Sequence, residues 1–191
     1  MALYRLFIAA DLPAEVKEEL ATTQARLRRA NPPVAWVAPG AMHLTLRFLG
    51  ETSAALALDV QAAMATALVA HTPMSLRLSG VGAFPNDRRP SVLWVGLGGS
   101  VAALERAQAS IEAALRGLGL VPEPKPFHPH LTLGRVRREA SQDQRRQLGE
   151  ALRALPPPAP LAWTLDRAIL FRSELRREGP IYTEIADYRL R

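Results

Sequence analysis

The tetrapeptide His-Leu-Thr-Leu occurs twice in this 191-residue chain, at residues 43–46 and again at 130–133. Each copy occupies the same place in a longer order of segments. A strand segment "YRLFIA" leads into an amphipathic helix with Val16, Leu20 and Leu27 on one face, and the breaker "NPPVAWVAPG" delivers the first HLTL strand. A helix over about 54–69 follows, with Thr52 or Ser53 as its cap, and "MSLRLSGVGAF" restores strand alternation. The second half repeats the order with "SVLWVGLGG", a helix over about 101–118, the lead-in "GLVPEPKPFHP", the second HLTL strand and a helix over 142–154. One strand in "PPPAPLAWTLDRAILFRSEL" and a terminal strand in "GPIYTEIADYRL" complete it. Tyr4 matches Val92, His43 matches His130 and Met74 matches Trp163, at offsets of about 87 to 89 residues. The repeat predicts an α+β fold, internally duplicated and bilobal, each lobe an antiparallel or mixed sheet packed with helices beside a central groove. Residues 1–191 then form one domain with approximate repeats 1–88 and 89–191.

The absence of cysteine excludes disulfides, thiolate catalysis and sulfur-ligated metals. Four histidines and scattered carboxylates give no metal-ligand spacing, so no metal site is expected. The apolar start "MALYRLFIAADLP" contains Arg5 and ends at Asp11 and Pro13, too short a run for a bilayer crossing. These features point to a soluble cytoplasmic protein with no membrane association. A formal charge of +6, from 24 basic and 18 acidic residues, favours a polyanionic partner.

On an extended strand, His43, Thr45 and Arg47 share one face and Leu44, Leu46 and Phe48 the other. His130 and Thr132 likewise oppose Leu131 and Leu133. Arg135 is out of step with His130 and reaches the same side only where the strand bulges, twists or ends. Two imidazoles on opposing walls suit acid–base displacement at phosphorus, because a group with a pKa of roughly 6.5 can accept or donate a proton near neutrality. Threonine hydroxyls and arginine can hold the non-bridging oxygens. Both histidines can instead pack structurally in a duplicated scaffold. Arg5 and Arg47 are candidates for the groove's positive field. Phe7, Phe84, Trp94, Phe127 and Tyr182 are candidates for stacking a base, although an aromatic is more often a core residue than a stacking platform. His128 shapes the entrance or touches ligand, and His71 is read as a helix-end residue.

The phrases "YRLFIAADLP", "MHLTLRFLGE", "VLWVGL", "FHPHLTLGR" and "GPIYTEI" resemble the RNA 2',3'-cyclic phosphodiesterases, historically called 2'-5' RNA ligases, of the two-histidine phosphoesterase superfamily. The resemblance spans most of the chain. It implies His43 as general acid, His130 as general base, and Thr45, Thr132 and Arg135 as phosphate ligands. It also implies no cofactor and a 2'-phosphomonoester product. The partner it implies is RNA with a 2',3'-cyclic phosphate terminus, tRNA fragments among the candidates; no obligate protein partner is expected, and a monomer is expected because the duplication already supplies both walls of the site. ATP-independent 2'-5' ligation, cleavage of 2'-5' oligoadenylates and noncatalytic binding of RNA ends remain open alternatives.

Overall fold

Strand-like alternation and helical spacing succeed each other along the chain, and the computed structural model, which describes residues 3–176 and 179–191, follows that succession closely. The elements are β1 (Leu3–Ala10), α1 (Ala14–Arg28), β2 (Val34–Trp36), a 3-10 turn (Pro39–Ala41), β3 (Leu44–Ser53), α2 (Ala54–Leu68), β4 (Met74–Phe84), β5 (Val92–Gly99), α3 (Val101–Gly117), β6 (His130–Val136), α4 (Gln142–Ala154), β7 (Ala162–Leu165), β8 (Arg167–Arg176) and β9 (Gly179–Arg189). The fold is α+β, as the sequence predicts. Ser53, rather than Thr52, caps α2 by accepting from the Leu56 amide at 3.2 Å. At α4 a full capping box joins Ser141 and Gln144, a signature the sequence reading passed over. Among the described residues no helix is long and apolar enough to cross a membrane.

The strands form one continuous sheet in the order β7-β4-β5-β6-β3-β1-β8-β9, with β2 attached to β6. Every pairing is antiparallel. β1 is buried on both faces. Leu6, Ile8 and Ala10 join the main core, where Val16, Leu20 and Leu27 of α1 and Val60 and Met64 of α2 also lie. Phe7 and Ala9 look the other way, into a small second cluster with Ile169, Phe171 and Tyr182. Burying each large apolar side chain of the main core contributes about 1.5–3 kcal/mol. The second cluster floors the opposite, concave side of the sheet.

Two features depart from the sequence reading. The breaker "NPPVAWVAPG" contains the short strand β2, which pairs with the end of β6. The segment read as one strand between Leu161 and Leu175 is two, because β7 pairs with β4 whereas β8 pairs with β1. The core-facing parity changes there, from Trp163 and Leu165 to Ala168 and Leu170, and the adjacent polar pair Asp166–Arg167 is the local sign of the change of partner. Position in the sheet therefore makes β8 the counterpart of β4, each flanking the first strand of a repeat. Met74 does not correspond to Trp163. The spatial halves also exchange strands: β4 lies among β5, β6 and β7, while β8 and β9 lie beside β1.

Candidate active site

The strands carrying the two HLTL phrases meet at the centre of the sheet, where Leu44 pairs with Leu131. Both leucines are buried in the main core. Alternation puts His43, Thr45, His130 and Thr132 on the concave face. In antiparallel register His43 stands level with Thr132 and His130 level with Thr45. The histidines are thus diagonal neighbours, a relation that corresponds to about 7–8 Å in antiparallel sheets and leaves room for one phosphoryl group.

Just beyond the threonines both strands bulge. Ala9 pairs with Thr45 but Ile8 with Arg47, so Leu46 is the extra residue of β3. Trp94 pairs with Thr132 but Leu93 with Gly134, so Leu133 is the extra residue of β6. Each bulge shifts the alternation by one. Phe48 and Arg135, rather than Arg47 and Gly134, therefore return to the concave face. This satisfies the condition under which Arg135 reaches the groove. The carbonyls at the bulges find donors on the helices: Gln24 of α1 donates to Leu133 O at 2.6 Å and to Val37 O at 2.8 Å, and Gln108 of α3 reaches Leu46 O at 3.5 Å. Both glutamines are buried. The sequence reading named neither, although an amide within an apolar helix stripe is the signal that marks a buried acceptor needing a partner.

Arg47 is consequently not a groove residue. Its side chain is 7% exposed and turned to the helical side, where Nε meets Glu112 at 2.7 Å and Nη1 meets Glu123 at 2.8 Å. Nη1 also donates to Phe48 O at 2.7 Å, and Nη2 donates to Val121 O. Arg47 thereby ties the first motif strand to α3 and to the loop that delivers the second motif. Replacing it with leucine strands the Glu112 carboxylate and is expected to cost about 3 kcal/mol, the low end for a broken buried pair because Glu123 is partly solvated. Urea unfolding measures the loss.

Each catalytic candidate has the same local anchor. His43 Nδ1 lies 2.8 Å from Ala41 O, and His130 Nδ1 lies 2.6 Å from His128 O. A carbonyl only accepts, so Nδ1 carries the hydrogen and Nε2 is the atom that exchanges protons. Different aromatic walls flank the two rings. Phe7 and Tyr182 stand 4.9 and 5.3 Å from His43, with Phe171 stacked 5.2 Å behind Phe7 and exposed Phe48 at 6.0 Å. Around His130 are Phe84 at 4.9 Å, Trp94 at 6.5 Å and His128 at 6.4 Å. Trp94 lies across Gly82, where a Cβ would come within 2.3 Å of the indole carbons. That strand position must remain glycine for the indole to lie flat. Phe127 is not part of either wall, since it packs against the main core. His71 bonds Ser110 Oγ at 2.9 Å, at the end of α2 and far from this groove in register.

Burial lowers the pKa of both histidines below the ordinary value, opposed in each by the bond to the backbone carbonyl. Their charged surroundings differ. The positive charges of His128 and Arg135 push His130 further down. His43 feels Asp11, which raises it, more than Lys17, which lowers it. Burial also raises the Tyr182 hydroxyl, against the charges of Arg135 and exposed Arg5. Tyr182 thus touches the His43 ring while within electrostatic reach of Arg135, which draws both halves onto one groove. Among the described residues no three His, Asp or Glu side chains gather as a metal-binding group.

A curled antiparallel sheet that offers one His-x-Thr strand from each repeat to a single concave face defines the two-histidine phosphoesterase class. The chain belongs to the 2'-5' RNA ligase superfamily, whose pattern residues 12–177 match. It is 35% identical over 195 residues to an RNA 2',3'-cyclic phosphodiesterase of Thermus thermophilus, covering 98% of this chain and 90% of the relative. A relative of the same name from Methanothermobacter thermautotrophicus is 30% identical over 186 residues, covering 97% and 98%. Among solved structures, TT0787 of Thermus thermophilus superimposes with a TM-score of 0.81 at 31% identity, covering 98% of each chain. E. coli LigT complexed with 3'-AMP gives 0.81 at 27% identity, covering 99% of each.

Proposed function

We propose that the protein hydrolyses a terminal 2',3'-cyclic phosphate of RNA to a 2'-phosphomonoester. The observation that carries this reading is the pair of identically anchored imidazoles, diagonal across one groove, with a threonine beside each and Arg135 rotated in by the bulge. The relatives named RNA 2',3'-cyclic phosphodiesterase support the substrate class.

The charged surroundings support the assignment of roles. His130, whose pKa burial and the Arg135 charge both lower, is the imidazole better suited to act as base, so its Nε2 takes a proton from water as the water oxygen attacks phosphorus. The bond from phosphorus to O3' breaks on the far side, and protonated Nε2 of His43 gives its proton to O3'. The bound phosphate anion favours the protonated form of His43 against the burial that lowers it. Thr45, Thr132 and Arg135 hold the non-bridging oxygens where charge accumulates. Tyr182, kept protonated by burial, is a further donor facing the ribose side.

A second reading rests on the wall around His130. Water needs no aromatic surface, yet Phe84, Trp94 and His128 gather on the nucleophile side. A second nucleoside seated there would present a 5'-hydroxyl in place of water and form a 2'-5' bond, with no ATP consumed. One incubation separates the outcomes. Purified protein and a short RNA ending in 2',3'-cyclic phosphate, with neither metal nor ATP added, should yield a 2'-phosphate end. A longer 2'-5'-linked product supports joining, and an intact cyclic end with retained binding reduces the protein to an RNA-end binder.

A further inference from the structure

Two arginines near the outer end of β6 are held by the fold. Arg145 donates to Pro90 O at 2.7 Å and to Arg137 O at 3.0 Å, and Arg153 meets Asp87 at 2.8 Å. Arg28 and Arg29, at the end of α1, and Arg137 and Arg138, just past β6, are exposed, and none is ion-paired with a carboxylate among the described residues. Arg28 and Arg137 line the same open cleft of about 510 Å³, together with Asn31, Pro32, Trp36 and Gln144.

The cleft is built rather than incidental. Asn31 adopts a left-handed conformation with φ 44 and donates its amide to Arg28 O at 2.8 Å, and Pro32 and Pro33 stiffen the wall that follows. The Arg28 guanidinium lies over the Trp36 ring, 5.2 Å from its centroid, so it is oriented before any ligand arrives. Two guanidinium groups without carboxylate partners, facing one cleft, repel each other. An anion relieves that repulsion.

The cleft lies round the edge of β2 from the groove: Val34 and Trp36, which line it, pair with Val136 and Gly134 on the helical side, whereas Arg135 faces the groove. Arg137 follows Arg135 by two residues, about 7 Å further along and just past the end of β6, where it lines the cleft. Its amide extends the β2–β6 ladder by bonding Pro33 O at 2.8 Å. A cationic line thus runs from Thr132 through Arg135 and Arg137, round the free edge of β2, to Arg28. We propose that this line binds the phosphodiester backbone of single-stranded RNA upstream of the cyclic end, with Arg137 and Arg28 on successive phosphates. It rests on RNA being the substrate and adds that polynucleotides, rather than mononucleotides, are what the protein selects.

The test compares wild type with an Arg28→Glu/Arg137→Glu variant in two assays. Fluorescence anisotropy with a 12-nucleotide single-stranded RNA bearing a 3'-phosphate should show affinity at least about tenfold weaker in the variant. The slope of log affinity against log salt should flatten by about 1.4 for two lost contacts. Turnover of a cyclic mononucleotide should be unchanged, because neither residue touches the reacting phosphate. Equal RNA affinity and equal salt slope in the two proteins would overturn the track, as would a parallel fall in mononucleotide turnover. If wild type consumes no cyclic end yet binds RNA through these arginines, the hydrolytic reading fails and the track stands.

Discussion

Turnover of a cyclic RNA end is expected to fall by about a thousandfold or more in either His43→Ala or His130→Ala, measured as kcat under saturating substrate. The double variant should be little worse than either single one, because donor and acceptor act on one displacement and removing either disables the pair. Folding should survive. Each ring sits on the concave face against aromatic neighbours, and the leucines between the histidines and threonines carry the core packing. Circular dichroism and the thermal midpoint therefore serve as controls. His128 lies close to His130 but precedes the strand and lacks its register, so it offers no substitute. Near-normal turnover by either pure variant would refute the assigned chemistry.

Arg135→Gln is expected to lower kcat/KM by about a hundredfold and to move its pH profile in a defined direction. In free enzyme both imidazoles titrate below the ordinary value of 6.5, so the bell for kcat/KM should centre on the acid side of neutrality. The Arg135 charge disfavours protonation of His130. Removing that charge raises the pKa of His130. A general base must be unprotonated, so the acid limb of the profile moves to higher pH while the alkaline limb stays. Movement of the alkaline limb alone would instead make His130 the acid. This separates two roles that the near symmetry of the repeats leaves equivalent.

The paired motifs, the helices and most strands were legible because each rests on a local period: alternation in HLTL, and Val16, Leu20 and Leu27 on one face of α1. Side-chain direction beyond the motifs was not. The alignment of "HLTLRF" with "HLTLGR" pairs Arg47 with Gly134 and Phe48 with Arg135, yet alternation alone puts Arg47 in the groove and Phe48 in the core. The bulges reverse both assignments, and a bulge is a property of two paired strands rather than of one. Gln24 and Gln108 escaped for the same reason, since the carbonyls they serve belong to distant segments. Nothing in the immediate neighbours of Phe127 or Trp94 separates core from groove; the register of β5 against β4 is what sends Trp94 across Gly82 to the groove.

The exchange of β4 and β8 between the halves bears on autonomy. A fragment ending near residue 88 would hold β4 without β5 and β7, and β1 without β8 and β9, exposing ladder edges that the intact sheet covers. The complementary fragment would carry the mirror deficit. A solitary half would leave those ladder groups to water or to a second copy, so the intact polypeptide, in which each half completes the other's sheet, is expected to unfold in a single transition.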